Sequence, residues 1–156
     1  MRAALLLTLV LMLLLPAAAG AEIVPGESIA GVKVGMKEAQ VREILGTPDE
    51  TNRATHEIFG AYTELVYGKT TIGLFDSNRR VFNVTTRSRS ERTDRNIGMG
   101  STRRAIRRRV EGVKCENVQG FRHCYLGKFL PGRIVMDFIL NRDNKVKRIT
   151  LARVID

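Results

Sequence analysis

Histidine, cysteine and arginine are the residues whose types and spacing could support chemistry in this chain. His56 and His123 are its only imidazoles. A serine-type hydrolase needs a nucleophile, a base and an orienting acid brought together, and neither histidine stands in a motif that would do so. The chain has no H-E-x-x-H, no glycine-rich phosphate loop ending in lysine and no regular acidic calcium loop. Glu64 and Asp137 fall in strand-like segments, but two carboxylates chosen from a sequence do not establish a glycosidase pair. The expectation is a protein without catalysis, metal or cofactor, with His56 and His123 as surface or packing residues.

Cys115 and Cys124 are the only cysteines. In an oxidising compartment their close spacing favours one local disulfide, and closing so short a loop contributes roughly 2.5 kcal/mol on the chain-entropy account. Buried thiols, a redox pair or part of a metal site are the competing readings. A redox pair usually reads C-x-x-C, however, and zinc needs three or four ligands, to which only His123 and the distant His56 could be added.

The chain carries 26 basic and 16 acidic residues, a net charge of +10. The excess is local. Between Ser77 and Val110 stand eleven arginines against Glu91 and Asp94, so that segment alone carries +9. Arg79, Arg80, Arg103, Arg104, Arg107 and Arg108 form its candidate anionic patch, to meet a cell-wall polymer, phospholipid or nucleic acid. The competing reading is a solvated helix and linker. Few aromatics interleave with the arginines, which disfavours a dedicated nucleic-acid reader.

The amino end suggests where such a protein would work. Met1 and Arg2 precede an uncharged, leucine-dominated run from Ala3 to Leu15; Pro16 and the small residues Ala17 to Ala21 follow. This is the tripartite pattern of a signal peptide, cut after Ala21 or, alternatively, after Ala19. No cysteine stands near the cut for lipid attachment. The expected product is a secreted or periplasmic protein, not a lipoprotein, of about 135 residues, enough for one domain or two small packed repeats.

Within it the same order of signals occurs twice. A helix from about Lys37 to Leu45, with Ala39, Val41, Ile44 and Leu45 at core-compatible spacing, ends at Gly46-Thr47-Pro48. A polar loop leads to strands over Tyr62–Tyr67, Thr70–Phe75 and Val81–Thr86. Leu65, Tyr67, Ile72, Leu74, Phe82 and Val84 are expected on the covered face and the threonines mainly on the open one. After a linker over Ser88–Asn96, Ser101 or Thr102 caps a second helix running to about Val110, with Ile106 and Val110 as its apolar seam. The Cys115 loop and strands over Phe121–Leu126, Arg133–Leu140 and Lys145–Val154 complete it. The expected fold is α+β: two tandem α-β-β-β repeats, residues 22–87 and 97–156, forming a curved antiparallel sheet with helices packed on one face.

The stretch VKVGMKEAQVREILGTPDE, Val32 to Glu50, resembles the opening motif of the BamE family, also called SmpA/OmlA. The doubled helix-and-strand unit is similar to the β-lactamase inhibitor protein fold. Lys37 stands where the BamE family usually has a threonine cap, and the family's lipidated cysteine is absent. The resemblance implies a non-catalytic envelope or secreted module that binds another extracytoplasmic protein through its open sheet face and hairpin tips. It places the contacts at Tyr62, the Asp76-Ser77-Asn78 turn, Phe121 and Tyr125, and in its narrower form implies inhibition of a secreted enzyme.

Overall fold

Backbone pairing, more than helix packing, builds this protein. The computed structural model describes residues 22–155. The elements in chain order are β1 (Ile23–Val24), β2 (Ser28–Ile29), α1 (Glu38–Leu45), β3 (Glu50–His56), β4 (Gly60–Tyr67), β5 (Thr70–Phe75) and β6 (Val81–Thr86), then α2 (Arg103–Arg109), β7 (Lys114–Val118), β8 (Phe121–Leu126), β9 (Ile134–Leu140) and β10 (Val146–Arg153). The signal peptide expected over Met1–Ala21 lies outside the described residues. Among the described residues, no helix is long and apolar enough to cross a membrane.

The α+β expectation of tandem α-β-β-β repeats with helices packed on one face is overturned. Among the described residues the chain is mostly β, at 49% strand and 11% helix, and its centre is one continuous antiparallel sheet of eight strands in the order β3-β4-β5-β6-β10-β9-β8-β7. Two additional strands form its edges. β3 lies in the segment expected to be a polar loop and β7 in the expected cysteine loop. Their sequences, ETNRATH and KCENV, lack apolar alternation because nearly all their side chains are exposed; their hydrogen-bonded partners β4 and β8 make them strands.

One face of the sheet is covered. Leu65, Ile72, Leu74, Val84, Met136, Phe138, Ile149 and Leu151 form its core with Ile23, Ile29 and Val32 of the amino-terminal segment. Each such side chain, removed from water, contributes on the order of 1.5–3 kcal/mol. The helices add little to this. Val41 is the one buried residue of α1, Leu45 packs at its margin, and Ala39 and Ile44, both expected in the core, stay exposed. α2 buries Ile106, and Val110 is buried just after it. Thr102 caps α2 by accepting the Ala105 N–H, whereas at Lys37 the Gln40 side chain accepts the cap residue's own N–H at 2.9 Å.

Two side-chain assignments are also corrected. Phe82 does not join Leu65 and Ile72: the β5–β6 register slips between Gly73 and Leu74, and the resulting bulge turns Phe82 to the opposite face beside Phe75 and Tyr62. Gly73 makes the room, since a Cβ there would stand 2.7 Å from the Phe82 ring and 2.2 Å from Asn83 Oδ1. Nor do the threonines sit mainly on the open face. Thr63, Thr70 and Thr86 are buried, where Thr70 and Thr86 hydroxyls meet at 2.9 Å and Thr70 donates to the buried Glu91 at 2.6 Å.

Candidate partner-binding face

Strand alternation sends every second side chain to the face opposite the core. On one half of the sheet this face carries Tyr62, Phe75 and Phe82, which gather around Phe59 from the β3–β4 turn. Ring centroids lie 5.6 Å from Phe59 to Tyr62, 5.8 Å to Phe75 and 5.0 Å to Phe82. His56 stacks on Phe59 at 4.3 Å. Such tilted and edge-on pairs each add about 0.5–1.5 kcal/mol beyond burial.

The other half carries a second aromatic group. His123 stands between Phe121 at 4.8 Å and Tyr125 at 5.2 Å, and Phe129 closes on Tyr125 at 4.9 Å. Beside it runs a trough of about 410 Å³ lined by Phe121, Phe129, Val135, Ile139, Ala152 and Arg148. Two rings that line it stand well out in solvent: Phe129 is 52% exposed and Phe121 46%.

A polar group sits within this apolar setting. His123 is buried and its Nδ1 lies 3.0 Å from Asp137 Oδ1. Burial pushes the Asp137 carboxyl above its ordinary value, against the opposing pull of His123 and Arg148. Arg148 has a buried Nε without a hydrogen-bond partner among the described residues. Tyr125 donates its hydroxyl to Glu116 at 2.7 Å, and that bond raises its pKa. Among the described residues no third His, Cys, Asp or Glu joins His123 and Asp137 to make a metal site.

The expected contact residues therefore divide. Tyr62, Phe121 and Tyr125 lie on the open face. In the Asp76-Ser77-Asn78 turn, only Ser77 has no internal use: Asp76 accepts from Thr63 at 2.6 Å, and Asn78 Oδ1 accepts the Arg80 N–H at 3.0 Å. Phe59, Phe75 and Phe129 also belong to the face and were not singled out in the sequence, while His56, expected as a surface or packing residue, and Phe82, expected on the covered face, join them.

The expected anionic patch divides as well. Arg79 is tied inward, with Nε donating to Glu38 Oε2 at 2.9 Å and Nη1 to Asp76 at 3.2 Å. Burial works against the Glu38 carboxylate, but Arg79 and Arg42 outweigh it and hold its pKa below 4.5. Arg80 donates to the Gly35 carbonyl at 2.8 Å and Arg103 to that of Cys115 at 2.8 Å. Arg104, Arg107 and Arg108 remain exposed on α2. Cys115 and Cys124 form the favoured disulfide, directly opposite each other on β7 and β8 with Cα atoms 3.9 Å apart.

No family model matches this chain, and no curated protein matches its sequence. Its fold is similar to that of an extracellular protein containing an SCP domain from Bacillus anthracis, at a TM-score of 0.51 and 7% identity over 77% of this chain, which spans 44% of that protein. A DUF4309 family protein, YjgB, from Bacillus subtilis aligns at a TM-score of 0.47 and 10% identity over 85% of this chain and 88% of its own. The uncharacterized protein yfeY from Escherichia coli aligns at 0.46 and 16% identity over 83% and 95%.

Proposed function

We propose that this chain is an exported, non-enzymatic binding module whose open sheet face docks another extracytoplasmic protein. The observation that carries the reading is the trough lined by Phe121, Phe129, Val135 and Ile139, where both rings stand about half exposed. Apolar surface concentrated in this way, with aromatic anchors at its centre, is the composition of an interface core. Arg148 and Arg153 line the same trough. The occupant is thus a partner loop presenting an aliphatic or aromatic side chain flanked by a carboxylate. The disulfide fits an oxidising compartment. The amino-terminal export pattern, the BamE-like motif and the fold shared with an extracellular protein support the same setting. Inhibition of a secreted enzyme is the narrower form of this function, and a panel of β-lactamases and proteases tests it.

A photo-crosslinking residue placed at Phe121 is expected to capture a partner that the same residue at Glu43, exposed on α1, does not. The purified partner is then expected to bind the chain at least about tenfold more weakly after Phe129→Asp, the scale of an interface hot spot. Identical adducts from both positions, or an unchanged Kd, would overturn the proposal.

A further inference from the structure

The side of the molecule that carries α2 presents a different surface. Two shallow grooves of about 570 and 680 Å³ adjoin there. Arg104, Arg107 and Arg108 line the first; Arg89, Lys145 and Lys147 line the second. The two are joined by pairing of the segment before α2 with the β9–β10 turn, where Val146 N–H donates to the Ser101 carbonyl at 2.9 Å and Arg103 N–H to the Asn144 carbonyl at 2.9 Å. No carboxylate lines either groove, and none of these six cations forms an ion pair among the described residues. Six like charges held this close repel one another, and an anionic surface relieves that repulsion.

The path of the chain indicates which anionic surface. Arg92 also lines the second groove, and it pairs with the first described residues: Glu22 bridges to Arg92, and Ile23 N–H donates to its carbonyl at 3.0 Å. The polypeptide preceding Glu22, which contains the apolar run Ala3–Leu15, therefore joins the domain beside this cationic groove. Until that leader is cut, a chain leaving a bilayer through it turns this side toward the headgroups. A nucleic acid or wall polymer would draw on the same charges but has no relation to the position of Glu22.

We infer that the α2 side is a docking surface for anionic phospholipid bilayers, on the opposite side of the sheet from the aromatic face. Each basic side chain brought to such a surface contributes roughly fivefold to binding. The test is sedimentation of the protein, as recovered from an exporting host, with phosphatidylglycerol-containing vesicles and with phosphatidylcholine vesicles. A retained apolar leader would bind both, so the difference between them reports the cationic side. The expected preference for phosphatidylglycerol is at least about a thousandfold at low salt and is lost at high salt. Arg104→Gln/Arg107→Gln/Arg108→Gln should lower it about a hundredfold. Arg53→Gln/Lys128→Gln/Arg133→Gln, which removes the same charge elsewhere, should leave it nearly unchanged. If the α2 variant misfolds by circular dichroism, Lys145→Gln/Lys147→Gln provides the same readout from the neighbouring groove. No preference between vesicles, equal losses from both triple variants, or tighter binding to duplex DNA or wall teichoic acid under the same salt would overturn the inference.

Discussion

The two outer hairpins of the sheet, β3–β4 and β7–β8, face the same problem and resolve it differently. Each ends the sheet in a strand with almost no buried side chain, so neither edge is held by a hydrophobic face of its own. β3–β4 is secured by rings: Phe59 in its turn packs on Tyr62, Phe75 and Phe82, and His56 stacks over it. β7–β8 is secured covalently, by the disulfide between directly paired residues. Because the bond holds the second hairpin, its aromatic residues are not needed for closure. Phe121 and Phe129 stand about half exposed around a trough, whereas Phe82 is 7% exposed. A covalent staple at one end thus leaves aromatic surface available for binding there, while the other end uses its aromatic surface on itself.

The largest expected effect comes from Phe82→Ala, which removes the most buried ring of the first cluster. Truncating a buried phenylalanine costs about 3–5 kcal/mol, measured by urea unfolding. Hydrogen exchange should quicken at β3 amides before those of β7. Equal quickening at both edges would show that the ends are not secured separately.

Cys115→Ala/Cys124→Ala should cost about 2.5 kcal/mol through the unfolded chain and quicken exchange at β7 while sparing β3. Chemical reduction of the unaltered protein should reproduce the pattern. The two variants act at distant sites, so their combined cost should be close to additive; a large departure would break the comparison from the other side.

Residues that announce their environment locally could be read from the sequence. Thr70–Phe75, Val81–Thr86 and Phe121–Leu126 carry β-branched and aromatic residues at strand spacing, and each is a strand over those same residues. Arg104, Arg107 and Arg108 follow from helical phase opposite Ile106. What escaped depends on partners distant in the chain. β3 and β7 have no burial pattern, because pairing alone defines them. Phe82 breaks alternation because of a bulge opposite Gly73, and Arg79 is drawn inward by Glu38, 41 residues away. The charge run could be counted, but its division into structural arginines and exposed ones could not.

The smallest expected effect contrasts one carboxylate from each half. Glu38 is held below its ordinary value by two arginines, so its contribution is present above about pH 4.5 and is lost as pH falls through its lower folded value. Asp137 is the reverse. Burial raises it above 3.8 despite His123 and Arg148, so the fold favours its protonated form. That contribution is fully present below pH 3.8 and is lost as pH rises through the raised folded value. Asn at this position keeps an oxygen that can accept from the His123 Nδ1–H but never ionises. The urea midpoint of Asp137→Asn should therefore gain on that of the unaltered protein as pH climbs from about 3 to 6, while Glu38, common to both, cancels. If the unaltered protein gains on the variant instead, the charges of His123 and Arg148 outweigh burial. The open face of the second half would then be held by an ion pair, as the Glu38 site of the first half is.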